Sequence, residues 1–283
     1  MSLKKRVERV LRGEGLEVTE LHLVPEQKSP NEVLMIQEAK AECRGLWYLP
    51  AGLMEDGETI VEALKGEIKE EAGIDCQPIT LLQIQEKGPN WVHFTFLAEK
   101  TGRSLKIPEQ ENADSLQAQW YNRDCLPPNI HKCDILTLID AGIKYCQGPW
   151  FTVLQPVDLP CDVVCQRFLL AFTSSNGISD NSDEDSVWLL LSNNFQLPVV
   201  ASKCMPSIYD QLSVNTCGIL GVQHTGRVPG KTDGVCLNTL VLLDSPPKSE
   251  RDCFRWYEVT NQRLRTEILQ KIQEGSILPV QSL

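Results

Sequence analysis

The 283 residues contain no apolar run near the roughly 18 that a membrane-spanning helix needs, no C-x-x-C pair among eleven cysteines, and no excess of basic over acidic residues. Each absence removes a class of protein. Without a long apolar run, and with an opening MSLKKRVERVLRGEG that has no uninterrupted apolar core, the chain reads as a soluble, intracellular, cytoplasmic protein. Without paired cysteines, neither zinc-finger nor dithiol redox chemistry has support. The odd cysteine count, in apolar settings such as Cys161 and Cys236, reads as reduced, core-filling thiols. With 27 lysines and arginines against 38 acidic residues, net charge -11, nothing would neutralise a nucleic-acid polymer or an anionic membrane. A small phosphorylated ligand held through divalent cations is still compatible with that charge.

What is present is an ordinary globular composition, 42% hydrophobic and 23% charged, in a chain long enough for two domains. Residues 1–31 read as a variable N-terminal segment with a basic, helix-patterned start and the alternating run Leu16–Val24. A first domain is expected over 32–146 and a second over 161–283. Gly148, Pro149, Pro156 and Pro160 mark 147–160 as the linker. Strands are expected at 32–37, 79–86, 91–99 and 117–121 and a helix at 134–145, then strands at 163–172, 187–191, 218–223 and 235–243 and a closing helix at 264–272. The second half echoes the first in outline: FQLPVVASKCMPSIYDQL follows WYLPAGLMEDGETIVEAL, and 217–243 repeats the hairpin shape of 79–99. It reads as an α+β domain that is a degenerate copy without the glutamates.

Those glutamates lie in LPAGLMEDGETIVEALKGEIKEEAGI, residues 49–74. Thr59 followed by Glu62 is a capping box, so a helix should begin at Ile60, and Gly73 should cap its C-terminal end. At 100° per residue, Ile60 and Leu64 set the centre of the apolar stripe. Glu67 and Glu71 continue that line, with Glu70 one residue's width to the side. A carboxylate on a buried stripe costs several kcal/mol unless a cation compensates it. Hard oxygen donors suit Mg²⁺ or Mn²⁺, an arrangement able to clamp a diphosphate and activate water. Gly52 and Gly57 would let the preceding loop approach phosphate closely.

The stretch resembles the Nudix box, G-x5-E-x7-R-E-U-x-E-E-x-G-U with U aliphatic, at Gly52, Glu58, Glu67, Ile68, Glu70, Glu71, Gly73 and Ile74. The resemblance implies an α/β class fold, the Nudix α/β/α sandwich with a mixed sheet. It also implies a metal held by Glu67, Glu70 and Glu71, with the Gly52 carbonyl contributing and Glu58 in support. VLMIQEAKAECRGLWYLPAG, SLQAQWY, DIL, CQR and LGVQH are similar to members of the family that degrade 8-oxoguanine nucleoside diphosphates. This implies cleavage of 8-oxo-dGDP and 8-oxo-GDP to monophosphate and phosphate, with a small-molecule nucleotide as partner.

Two positions depart from the family pattern. Gly66 stands where the box arginine should pair with a box glutamate, and Lys65 points about 100° away from it. Upstream, Pro25–Asn31 occupies the place of a long apolar strand, so either Leu16–Val24 substitutes or the strand is missing. These departures keep two alternatives open: an impaired nucleotide-binding or scaffold module, and a hydrolase of another nucleoside diphosphate derivative. Asp114 is a candidate for the extra acidic residue near the water, with Glu111 a neighbouring contender, and Asp134 is a candidate for reading the base. Each has an ordinary explanation too, a solvated loop acid for Asp114 and a helix N-cap for Asp134. Trp47, Tyr48 and Trp120 read as core aromatics, and His131 is assigned no role.

Overall fold

A computed structural model describes residues 31–55, 57–86, 92–108, 113–131, 135–150, 153–158, 164–174, 186–201, 214–225, 234–243, 254–274 and 280–282. The N-terminal helix pattern, the Leu16–Val24 run, Glu111 and Asp134 lie outside them. The chain divides into two units, one including 31–83 with 94–153 and the other 84–93 with 154–283. No helix among the described residues is long and apolar enough to cross a membrane.

In the first unit, EVLMIQE forms β1 (Glu32–Glu38), an apolar run that buries residues on both of its faces, as a covered central strand must. It pairs antiparallel with β2 (Trp47–Tyr48) and with β5 (Ser115–Asn122), where Leu34 meets Trp120 and Ile36 meets Ala118. Alternation then sorts the side chains. Leu34 and Ile36 pack with Ile68 and Ala72 of α1 (Ile60–Ala72). Val33 and Met35 pack with Trp47, Tyr48 and with Ile135 and Ile139 of α2 (Ile135–Gln147). The result is a sheet layer between two helices, and Trp47 and Tyr48 are core residues as expected.

The strands β3 (Asp75–Glu86) and β4 (Val92–Gly102) pair with each other and run longer than the sequence suggests. The expected start of β3 is Ile79, and the strand begins at Asp75. Pro78 is accommodated inside the strand, whose far end pairs with a short parallel strand, β13 (Val280–Ser282), at Ile84–Glu86.

The second unit centres on β7 (Val164–Ser174), antiparallel to β8 (Ser186–Ser192) and parallel to β11 (Gly234–Leu243). The order runs β12 (Phe254–Glu258), β8, β7, β11, β10 (Val214–Thr225) and β6 (Val157–Asp158), with β9 (Val199–Ala201) also on β7. Beside Leu169, Leu189 and Leu240, α3 (Gln262–Glu274) contributes Leu264 and Ile268 to the core. β10 begins before the expected Gly218 because the ladder passes through a register shift there, taken up by Gly218 at φ 115°. The β8–β12 pair, the β10–β11 hairpin and α3 follow the sequence order of β1–β5, β3–β4 and α2.

Candidate active site

The helix that carries the box is fixed at both ends. Thr59 accepts from the Glu62 N–H at 3.2 Å and Glu62 Oε2 accepts from the Thr59 N–H at 2.9 Å, completing the capping box at the expected residues. Gly73, at φ 77°, donates to the Lys69 carbonyl and ends the helix. Between these caps Ile60, Ile68, Glu71 and Ala72 are buried.

Glu71 is the centre of the site. It is 1% exposed, and its Oε2 accepts from the Ala51 N–H of the glycine loop at 2.9 Å. Burial pushes its carboxyl up to about 8. The neighbouring charges of Glu67 and Glu38 add to the rise, while the Ala51 hydrogen bond and Lys40 oppose it. Glu67 shifts in the same direction through burial and the charge of Glu70, with Asp114 and Glu58 adding and Lys40 opposing. A Cβ built on Gly52 would overlap the carboxyl carbon and both oxygens of Glu67, so only glycine admits that side chain against the loop. Glu58 accepts from the Glu55 N–H at 2.9 Å and braces the loop. Glu70 is exposed on the helix flank.

The structure thus brings Gly52, Glu58, Glu67, Glu71 and the charge of Asp114 to one place. Asp114 also ties its loop to β1, its carbonyl accepting from the Ala39 N–H at 3.1 Å. Lys65 turns away and donates to Gln77 at 2.8 Å. Gly66 faces open space, so nothing steric requires glycine there.

Two residues that the sequence did not single out hold the far end of the helix. Lys106, 7% exposed, donates through Nζ to the Glu70 carbonyl at 2.7 Å and to Ser115 Oγ at 2.8 Å. Its N–H donates to the Ala72 carbonyl, and Ser115 Oγ donates to the Glu71 carbonyl at 2.6 Å. The carbonyls of three successive residues at the helix's C-terminal end are therefore satisfied by one buried cation and its partner, which also opposes the negative end of the helix dipole. Burial pulls the Lys106 ammonium below the usual lysine range, against the charges of Glu71, Asp114 and Glu70. Its only signal in sequence is a lysine between Leu105 and Ile107, too common a pattern to read.

A buried carboxylate shifted to about 8 beside a second one shifted upward is a donor set that a hard divalent cation would satisfy: it supplies oxygens only and restores the ionised forms. Residues 21–135 match the family model of the NUDIX domain. The 8-oxo-dGDP phosphatase NUDT18 of Danio rerio is 51% identical over 99% of this chain and 98% of its own length. That alignment spans 329 positions against 283 residues, so the Danio rerio protein carries internal segments with no counterpart here. The human protein of the same name is 42% identical over 88% of this chain and 83% of its own. Among solved structures, a NUDIX hydrolase from Nitrosomonas europaea covers 44% of this chain and 69% of its own at TM-score 0.37 and 26% identity. Matched to relatives over nearly its whole length, and carrying the box on a capped helix with Glu71 turned inward, the chain belongs to the Nudix hydrolase family.

Proposed function

We propose that this chain hydrolyses oxidised guanine nucleoside diphosphates, 8-oxo-dGDP and 8-oxo-GDP, to the monophosphate and phosphate, with Mg²⁺ or Mn²⁺ and in a soluble, cytoplasmic setting. The observation that carries the chemistry is Glu71, a carboxyl almost wholly out of water and raised to about 8. The names of the relatives supply the base.

In this reading Glu67, Glu70 and Glu71 hold the metal, with the Gly52 carbonyl as a further oxygen. When bound, the ion would offset phosphate charge and lower the pKa of a water. The chain's own part is positional. Gly52 lets Glu67 lie against the loop, Glu58 keeps the loop's turn, and Lys106 with Ser115 fixes the last turn that carries Glu70 and Glu71. Asp114 supplies negative charge near Glu67, able to orient a water by accepting its proton. Asp134 is retained as the base-reading candidate.

The domain boundaries proposed with this function are 32–146 for the catalytic domain, 147–160 for the linker and 161–283 for a Nudix-like copy without the box. The shared order of paired strands and closing helix supports that last assignment. A second reading, a nucleotide-binding module with little turnover, is favoured by Gly66 and by Pro25–Asn31 standing where the family's long apolar strand is expected. Phosphate release from a panel of oxidised and ordinary nucleoside diphosphates, with and without Mg²⁺, separates them. Metal-dependent release favouring the 8-oxo forms is expected. Binding of those nucleotides without release would establish the second reading instead.

A further inference from the structure

A second donor set lies within the first unit and uses none of the box carboxylates. Glu38 ends β1 at an irregularity in the β1–β5 register. Its N–H donates to the Leu46 carbonyl at 2.9 Å and its own carbonyl accepts from the Gly45 N–H at 2.8 Å, so the chain turns back tightly. Cys43 sits in that turn, its N–H on the Lys40 carbonyl at 3.1 Å and its carbonyl accepting from Leu46 at 3.0 Å. His131 comes from the segment after β5. The Trp47 N–H donates to Asn129 and the His131 N–H donates to the Trp47 carbonyl, both at 2.9 Å. Backbone hydrogen bonds therefore fix the origin of all three side chains.

Their donor atoms lie within 4.8 Å of one another. Glu38 and Cys43 are 8% and 7% exposed, and the His131 side chain is 30% exposed. Glu38 Oε2 and His131 Nδ1 are both shielded from water, and neither has a hydrogen-bond partner. The His131 Nδ1 to Glu38 Oε1 separation of 3.9 Å is too long for a hydrogen bond. The Tyr48 ring meets the imidazole edge-on at 5.9 Å and offers Nδ1 no acceptor.

Shielded, unpartnered polar atoms cost about 1–3 kcal/mol each, and such orphans call for a water, an ion or a reactive role. Here they converge with a thiol that itself hydrogen-bonds the Glu38 carboxylate. Thiolate, imidazole and carboxylate together are a borderline-soft set that selects Zn²⁺ over the hard ions suited to the box. The 3.9 Å between His131 Nδ1 and Glu38 Oε1 is longer than the roughly 3.3 Å between two such donors on one tetrahedral ion, a gap within reach of side-chain adjustment on a fixed backbone.

We propose that Glu38, Cys43 and His131 form a zinc site with one open position, separate from the box carboxylates, that ties the β1–β2 turn to the segment after β5. Binding would release the Cys43 thiol proton to solvent. The sequence signal is weak because the three ligands are 5 and 88 residues apart rather than paired in a short motif.

The test uses the full chain, stripped with a chelator, given Zn²⁺ in the presence of millimolar Mg²⁺, desalted and measured by elemental mass spectrometry, with affinity from competition against a chromophoric chelator. One zinc per chain is expected. Cys43→Ser, His131→Gln and Glu38→Gln should each weaken it by about tenfold or more, while the double variant Glu67→Gln/Glu71→Gln keeps it. Cobalt substitution of the unmutated chain should show a thiolate-to-metal absorption band, which decides sulfur ligation even where a variant misfolds. No retained zinc, zinc unaffected in Cys43→Ser and His131→Gln, or zinc lost in the box double variant would overturn the proposal.

Discussion

The two units solve the same packing problem with different interiors. In the second, the buried polar side chains among the described residues are neutral or histidine: Gln85, Gln166, His224, Asn238 and Thr239. Arg167 is only part-buried and reaches Asn238 and Gln223. In the first, Glu38, Glu71 and Lys106 are buried outright. Buried charge is costly without compensation, so an interior that holds three such groups, beside the neutral Thr80, Gln83 and Ser115, is organised for something other than stability. The contrast teaches that the second unit packs on an apolar pattern with neutral polar groups, while the first sets carboxylates into its core against that pattern, where the proposed chemistry would use them.

The largest expected effect tests that division directly. Glu71→Gln should lower metal-dependent turnover by roughly a thousandfold in steady-state phosphate release, while the metal-free protein becomes more stable at pH 8 because an unfavourable buried charge is gone. If turnover were little changed, the buried carboxylate would be a structural feature like those of the second unit. Gly52→Ala comes next. Its methyl must displace the Glu67 carboxyl, so turnover should fall by about a hundredfold with only a small change in unfolding temperature.

The second unit supplies the opposite case. Ile268 is fully buried against β7, β8 and β11, so Ile268→Ala should cost about 2–5 kcal/mol of stability in denaturant unfolding, leaving kcat of the folded fraction unchanged. The smallest effect is expected from Gly66→Arg. The site is open and a mid-helix glycine costs about 1 kcal/mol relative to alanine, so the variant should be modestly more stable. Its Mg²⁺-dependent turnover should rise as the pair expected of the box is restored. Unchanged turnover would mean that the ligand geometry is already set by other groups, Lys106 among them.

Much of this site was legible in the sequence because it is local. The capping box, the Gly73 cap and the inward turn of Glu71 follow from a 3.6-residue period and a few side-chain rules, and the helix runs over the expected residues. What escaped was what chain reversal brings together. Lys106 meets Glu70 across 36 positions and Ser115 meets Glu71 across 44, and no periodicity encodes such pairs. His131, read as having no role, lies beside Glu38 only because the Trp47 backbone holds it there. β3 and β10 begin at Asp75 and Val214, ahead of the expected Ile79 and Gly218, and at Gly218 the ladder continues through a register shift that periodicity does not show.

The central claim is that Glu71 is a buried carboxylate held ready for a cation, and its linkage to pH gives the most direct test. The folded value, about 8, lies above the ordinary 4.5, so the folded chain keeps a proton that the unfolded chain releases. Glu71's contribution to metal-free stability is full below about 4.5 and is lost as pH rises through 8. Unfolding temperature should be measured with and without Mg²⁺ at pH 5.5 and pH 8, for the unmutated chain and for Glu71→Gln. The account predicts a clearly larger rise on adding Mg²⁺ at pH 8 than at pH 5.5, and little rise at either pH in the variant. An equal rise at both pH values, or one that survives in Glu71→Gln, would contradict it.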